Sequence, residues 1–93
     1  MKFDWDPKKA RSNQKNHRVS FEEAQTVFSD SFNIEFYDPD HSDEEHRFIL
    51  VGHSNLGRLL FISFTERGNE VRIISAREAT SREQRDYENG RFE

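Results

Sequence analysis

The chain has no cysteine. This excludes disulfide staples, thiolate zinc sites and a cysteine nucleophile, and it fits a reducing, cytoplasmic setting. Long apolar runs are absent too. No stretch approaches the length of a membrane span, and the N-terminus has no signal-type hydrophobic region, so neither a membrane role nor export is expected. Repeats, linkers and low-complexity segments are also missing, so the 93 residues read as a single domain, 1–93. Apolar residues are scarce at 32% against 34% charged, which raises the question of disorder. Nine phenylalanines and clear periodic segments answer it: a thin, aromatic-rich core is expected, one that a partner can complete.

Net charge is −4, unevenly spread. Residues 1–18 carry six bases and two acids, residues 19–46 nine acids and no lysine or arginine, and residues 47–93 eight bases and seven acids. One basic and one acidic surface on a small body would follow, though solvated faces explain the same counts.

The periodicities predict an α+β domain with element order β-α-α-β-β-β-β-α. A short strand at Phe3–Trp5 leads to Asp6 as N-cap and Pro7 as first helical residue. The helix that follows is nearly all polar, and its inward face at i, i+3, i+7 would be Ala10, Asn13 and His17. Ser20 and Glu23 form a capping box for a second helix, with Val19 and Ala24 suited to a hydrophobic staple and Phe21, Ala24, Val27 and Phe28 facing a sheet. Residues 33–38 alternate as a half-exposed strand. Residues 47–53 and 58–65 are apolar on both faces and predict central strands, and residues 70–77 complete an antiparallel meander. Thr80 and Glu83 make a second capping box, for a final helix ending near Gly90 whose only large, partly apolar side chain is Tyr87.

Arginines inside the best strand need a reason. Arg72 and Arg77 are an odd number apart, so strict alternation separates them, whereas a bulge at Ile74–Ser75 or the strand end reunites them. Together with Arg47 and with His17 they would then line one concavity. Guanidinium groups bind phosphate bidentately and stay charged, and fixed cations stabilise the charge that builds on a phosphodiester cleaved by its own 2′-hydroxyl. The same arginines can instead pair with Glu66, Glu70 or Glu78. His17 suits proton transfer near neutrality, or simply caps the helix end. His41, His46 and His53 stand near Asp38, Asp40, Asp43, Glu44 and Glu45, but the spacing matches no metal-ligand motif, so no metal or other cofactor is expected. Glu83 and Tyr87 share a helix face at i, i+4; Tyr87 can stack a base or anchor the helix.

Taken together, "FDWDPKK", "HRVSFEEAQTVF", "EEHRFILVGHS", "GRLLFISFTERG" and "VRIISAREATSREQRDYE" resemble the BrnT family of type II toxins, in order and over nearly the whole chain. The resemblance implies a RelE-like fold: two N-terminal helices, a four-stranded antiparallel sheet with a short N-terminal strand beside it, and a C-terminal helix. It implies a metal-independent endoribonuclease that cuts messenger RNA and inhibits translation. Its partner would be a BrnA-like DNA-binding antitoxin, and the complex would reach promoter DNA through that antitoxin. His17, Val19, Ser20 and Phe21 fall in the family's Lys-His-Gly-Val-Ser-Phe stretch, but this chain has Asn16 for the lysine and Arg18 for the glycine. Lys15 can replace the lysine only from about 100° around the helix. Arg47, Arg72, Ser75, Arg77, Thr80, Glu83 and Tyr87 match the remaining motif positions. The expected assignment is Arg47, Arg72 and Arg77 for phosphate binding and charge stabilisation, His17 or Lys15 for proton transfer, and Arg58, Arg67 and Tyr87 for RNA contact. Two other readings stand beside it: a non-catalytic toxin relic that serves its antitoxin as a co-repressor, and an inhibitor of another target such as gyrase.

Overall fold

A computed structural model of the chain describes residues 1–41 and 45–92. The elements are β1 (Lys2–Asp4), α1 (Pro7–His17), α2 (Phe21–Val27), β2 (Ile34–Asp38), a 3-10 turn (Pro39–His41), β3 (Arg47–His53), β4 (Leu59–Arg67), β5 (Glu70–Glu78) and α3 (Ser81–Glu88). The strands form one sheet in the order β1-β5-β4-β3-β2. β2 to β5 are the expected antiparallel meander. The N-terminal strand is not a mere companion but the fifth member of the sheet, joined in parallel to β5 through Lys2–Glu70, Phe3–Val71 and Asp4–Arg72. Sequence alternation cannot choose an edge or a direction for three residues.

The helix starts follow local chemistry. The Asp6 carboxylate accepts from Lys8 N, with Pro7 at the first position. Thr80 and Glu83 close a full capping box on α3. Ser20 accepts from Glu23 N, but the expected reciprocal bond is absent, because the Glu23 carboxylate turns to Arg58 and Ser54. α1 ends where Arg18 takes a left-handed conformation, φ 57°, and its N–H bonds to Gln14 O. That is the conformation in which a glycine is favoured.

One sheet face is packed by the helices. Val19, Phe21, Ala24 and Val27 meet Leu50, Leu60, Ile62, Phe64, Val71, Ile73 and Ala76 in a single core. Each fully buried large side chain contributes about 1.5–3 kcal/mol relative to exposure. The expected aromatic character is borne out by edge-on contacts of Phe28 with Phe3 and Phe64 at 5.0 and 5.1 Å, and of Trp5 with Phe21 at 5.8 Å.

α1 has little to bury, so a hydrogen-bonding side chain docks it. β1 stops opposite Arg72, which leaves the upper half of β5 with an open edge. There Asn13, buried, donates to Ala76 O (2.8 Å) and Val19 O (2.9 Å), and accepts from Ala76 N (3.0 Å). Its amide stands in for one residue of a missing strand. Of the inward face expected for this helix, Asn13 is buried and Ala10 half-buried, whereas His17, at the helix end, is exposed.

Candidate active site

The opposite sheet face carries the charge. Between the pairs Ser63–Ser75 and Phe64–Ile73, Ile74 is an extra residue in β5. This bulge shifts the alternation by one, which puts Arg72 and Arg77 on the same face. Cross-strand rows then run Arg47–Thr65–Arg72, Ile49–Ser63–Ser75 and Val51–Phe61–Arg77. A cleft of about 280 Å³ opens on this face, lined by His17, Asp38, His41, Arg47, Ile49, Phe61, Ser63, Ser75, Ala76 and Arg77. His17 reaches it from the end of α1, Asp38 and His41 from the end of β2 and its turn. The floor is apolar at Ile49 and Phe61, and two facing serines add hydroxyls.

Arg77 is held from two sides. Its guanidinium donates to Glu83 at 2.7 and 2.9 Å and to Glu78 O at 3.3 Å, and lies 4.4 Å above the Phe61 ring. These bonds use three of the five guanidinium N–H groups. The hydrogen bond from Arg77 keeps the Glu83 carboxyl below its usual range against the opposing effect of burial, and Glu83 in turn raises Arg77. Glu83 therefore serves two ends of the structure, capping α3 and orienting an arginine of the cleft.

The other expected site residues are distributed as follows. Arg72 shares the face and the row of Arg47 but does not line the cleft; it is ion-paired with Asp4 of β1. Arg67 bonds bidentately to Glu45 at 2.9 and 2.8 Å, and Arg72 and Arg47 also lower that carboxyl through space, after Arg67. Three arginines thus gather about one exposed carboxylate. Arg58 lies at the β3–β4 turn, where it binds Glu23 and Arg18 O (3.0 Å) while Ser54 donates to the same carboxylate at 2.6 Å. Tyr87 donates to Phe32 O at 3.1 Å and meets the His53 ring at 5.7 Å; burial, then the charge of Asp30, pushes its hydroxyl up. Lys15 is exposed and lines no part of the cleft. A neighbouring recess of about 180 Å³ between α1 and the bulge is lined instead by Lys9 and Asn16, with His17 and Ser75 shared between the two cavities.

Sequence reasoning missed Lys9, Ser63 and the pairing of His41 with Asp38 (3.0 Å). A serine centred in "FISF" was the available signal for Ser63. The three histidines weighed as metal ligands point to different partners: His41 to Asp38, His46 to Tyr37 and His53 to Tyr87. Asp43 and Glu44, weighed with them, lie outside the described residues. A larger concavity, about 830 Å³, lies at the β4–β5 hairpin and the N-terminus and is lined by no histidine.

The family described as "Ribonuclease toxin, BrnT, of type II toxin-antitoxin system" matches residues 5–83. The chain belongs to this family. The BrnT fold is seen directly in the crystal structure of the Brucella abortus ribonuclease toxin BrnT, at 1.1 Å resolution: TM-score 0.65, 23% identity, 87% of this chain and 99% of that one. No curated protein matches the chain. Membership of the BrnT family makes this a toxin of a type II pair, with an antitoxin as its counterpart. Among the described residues no helix is long and apolar enough to cross a membrane.

Proposed function

We propose that this BrnT protein is an endoribonuclease that cuts messenger RNA and so stops translation. One observation carries the reading: His17, Arg47 and Arg77, from three separate elements, line a single cleft with an apolar floor. In this reading a nucleotide base lies over Phe61 and Ile49, while Arg47 and the unused N–H groups of Arg77 hold the scissile phosphate. His17 takes the proton of the 2′-hydroxyl as it attacks phosphorus. A positioned imidazole contributes typically 10²–10⁴-fold to such a step. Charge developing on the phosphoryl oxygens is met by guanidinium groups already in place. The chemistry calls for no metal, since imidazole and guanidinium supply proton transfer and charge stabilisation.

Arg67 and Arg72, gathered with Arg47 around Glu45, continue a basic track on which an RNA phosphate displaces the exposed carboxylate. Arg58 is a brace rather than an RNA contact in this reading, because Glu23 and the Arg18 carbonyl occupy it. The counterpart is a BrnA-like, DNA-binding antitoxin, and promoter DNA is reached only through that complex.

A second reading has an observation of its own. Arg72 and Arg77 are both carboxylate-bound, as a purely structural role requires. On that basis the chain is a relic that binds its antitoxin and shapes repression. Inducing the chain alone, with new 5′ ends in messenger RNA mapped by primer extension, separates the two. Growth arrest with cuts that disappear in His17→Ala and Arg47→Ala supports the nuclease. A folded, expressed chain that neither arrests growth nor cuts RNA refutes it and leaves the relic; arrest without cuts points to another target.

A further inference from the structure

We propose that His41, positioned by Asp38, is a second proton-transfer residue of the cleft and supplies the proton to the leaving group. The inference rests on the nuclease reading above and deepens it. In-line displacement at phosphorus has two proton movements, one at the attacking 2′-oxygen and one at the departing 5′-oxygen, on opposite sides of the phosphate. One imidazole in one position does not reach both. The cleft has two, entering from different elements: His17 from the end of α1, and His41 from the turn after β2.

The arrangement of His41 is that of an oriented acid. Its Nδ1 lies 3.0 Å from Asp38 Oδ2. A carboxylate only accepts, so Nδ1 carries a hydrogen and Nε2 is the nitrogen left to exchange a proton. A carboxylate so placed holds the ring in one orientation and one tautomer. The Asp38 side chain is 16% exposed and that of His41 67%, so the partner is anchored and the ring is accessible. Asp38 is also the cross-strand neighbour of Arg47, so the element that aims His41 is registered against the element that carries the phosphate cation. A surface ion pair at i, i+3 explains the 3.0 Å contact by itself, but not the place of both residues in the lining of the cleft that His17, Arg47 and Arg77 share.

The step balances as a transesterification. The 2′-oxygen forms a bond to phosphorus and passes its proton to His17. The bond from phosphorus to the 5′-oxygen breaks, and His41 Nε2–H gives its proton to that oxygen. The products are a 2′,3′-cyclic phosphate and a 5′-hydroxyl, with one proton gained by His17 and one lost by His41, both restored by exchange with solvent. Asp38 remains a carboxylate throughout and acts as a positioning residue.

The test uses a short RNA with one cleavable bond, and the same RNA with sulfur replacing the bridging 5′-oxygen. Each is offered free and in a programmed ribosome. A thiolate leaves without protonation, so the sulfur substrate bypasses a missing acid. His41→Ala is expected to slow the oxygen substrate by about 10²–10⁴-fold and to fall within about tenfold of the unaltered protein on the sulfur one. His17→Ala remains slow on both. Asp38→Asn is expected to lower kcat on the oxygen substrate with KM little changed. The His41 side chain is exposed and outside the core, and circular dichroism checks that the variant is folded. Equal activity of His41→Ala and unaltered protein on the oxygen substrate overturns the inference; so does an equal defect on both substrates, which marks a binding or structural role. If the unaltered protein cuts neither substrate in either setting, the nuclease reading falls, and this inference with it.

Discussion

Removing the Asn13 amide tests how α1 is held. Asn13→Ala deletes three buried hydrogen bonds at 2.8–3.0 Å and leaves Ala76 N, Ala76 O and Val19 O without that partner. At about 1 kcal/mol for each bond the loss is roughly 3 kcal/mol. Water entering the space vacated by the amide would meet three polar groups and recover part of it, so a loss of about 2–3 kcal/mol is expected. For a domain of this size 3 kcal/mol lowers the midpoint of thermal unfolding by roughly 12–24 °C. Urea unfolding should show a lower midpoint with an unchanged m-value, and hydrogen exchange should show faster exchange at the Ala76 amide. Asn13→Asp is the sharper variant. It keeps the acceptor for Ala76 N but sets a carboxylate against two carbonyl oxygens, so at neutral pH it should be less stable than the alanine variant. A loss below about 1 kcal/mol for Asn13→Ala, or an aspartate variant as stable as the unaltered protein, would refute the strand-surrogate argument.

Other perturbations have signs fixed by the geometry. Arg18→Gly should stabilise the fold by about 0.5–1 kcal/mol, because φ 57° strains a side chain and the Arg18 side chain is exposed; a destabilised variant in urea unfolding would contradict this. Gly52→Ala should cost about 1–3 kcal/mol, since its methyl would stand 2.9 Å from Asn33 Cβ, Asp30 Oδ2 and Val27 Cγ1, where α2 crosses β3; thermal unfolding measures it. The pH dependence follows from Glu23, whose carboxyl is lowered chiefly by its hydrogen bond from Arg58, with Ser54 adding to it and burial opposing. Its folded value lies below its unfolded one, so its contribution is complete at neutral pH. That contribution shrinks as pH falls through the ordinary glutamate range, about 4.3, and is gone below the folded value. Glu23→Gln should therefore give a shallower acid limb in stability against pH, and an unchanged limb would count against the pairing.

Local chemistry made much of the fold legible. Asp6 and Pro7, Ser20, and Thr80 with Glu83 marked the three helix starts because an N-cap acts within three residues; alternation marked β2, and short apolar, β-branched runs bounded by turn residues marked β3 to β5. Odd spacing even exposed the problem at Arg72 and Arg77. What the spacing left open was settled by packing across the sheet. The extra residue in β5 sits at Ile74 because β4 pairs on either side of it, and this alone brings the two arginines to one face. Partner choice was equally out of reach. The expected pairings with Glu66, Glu70 or Glu78 gave way to Glu83 and Asp4, and Asn13 found Ala76, 63 residues away. His41 is the clearest instance: in the sequence it belongs to an acidic loop, and in the fold it stands in one cleft with His17 and Arg77. Periodicity and capping are short-range and are written in neighbouring residues, so they determine which segments become helix or strand. Which charges meet, and which face of the sheet becomes a site, depends on contacts between segments distant in the chain, and those exist only once the chain has folded.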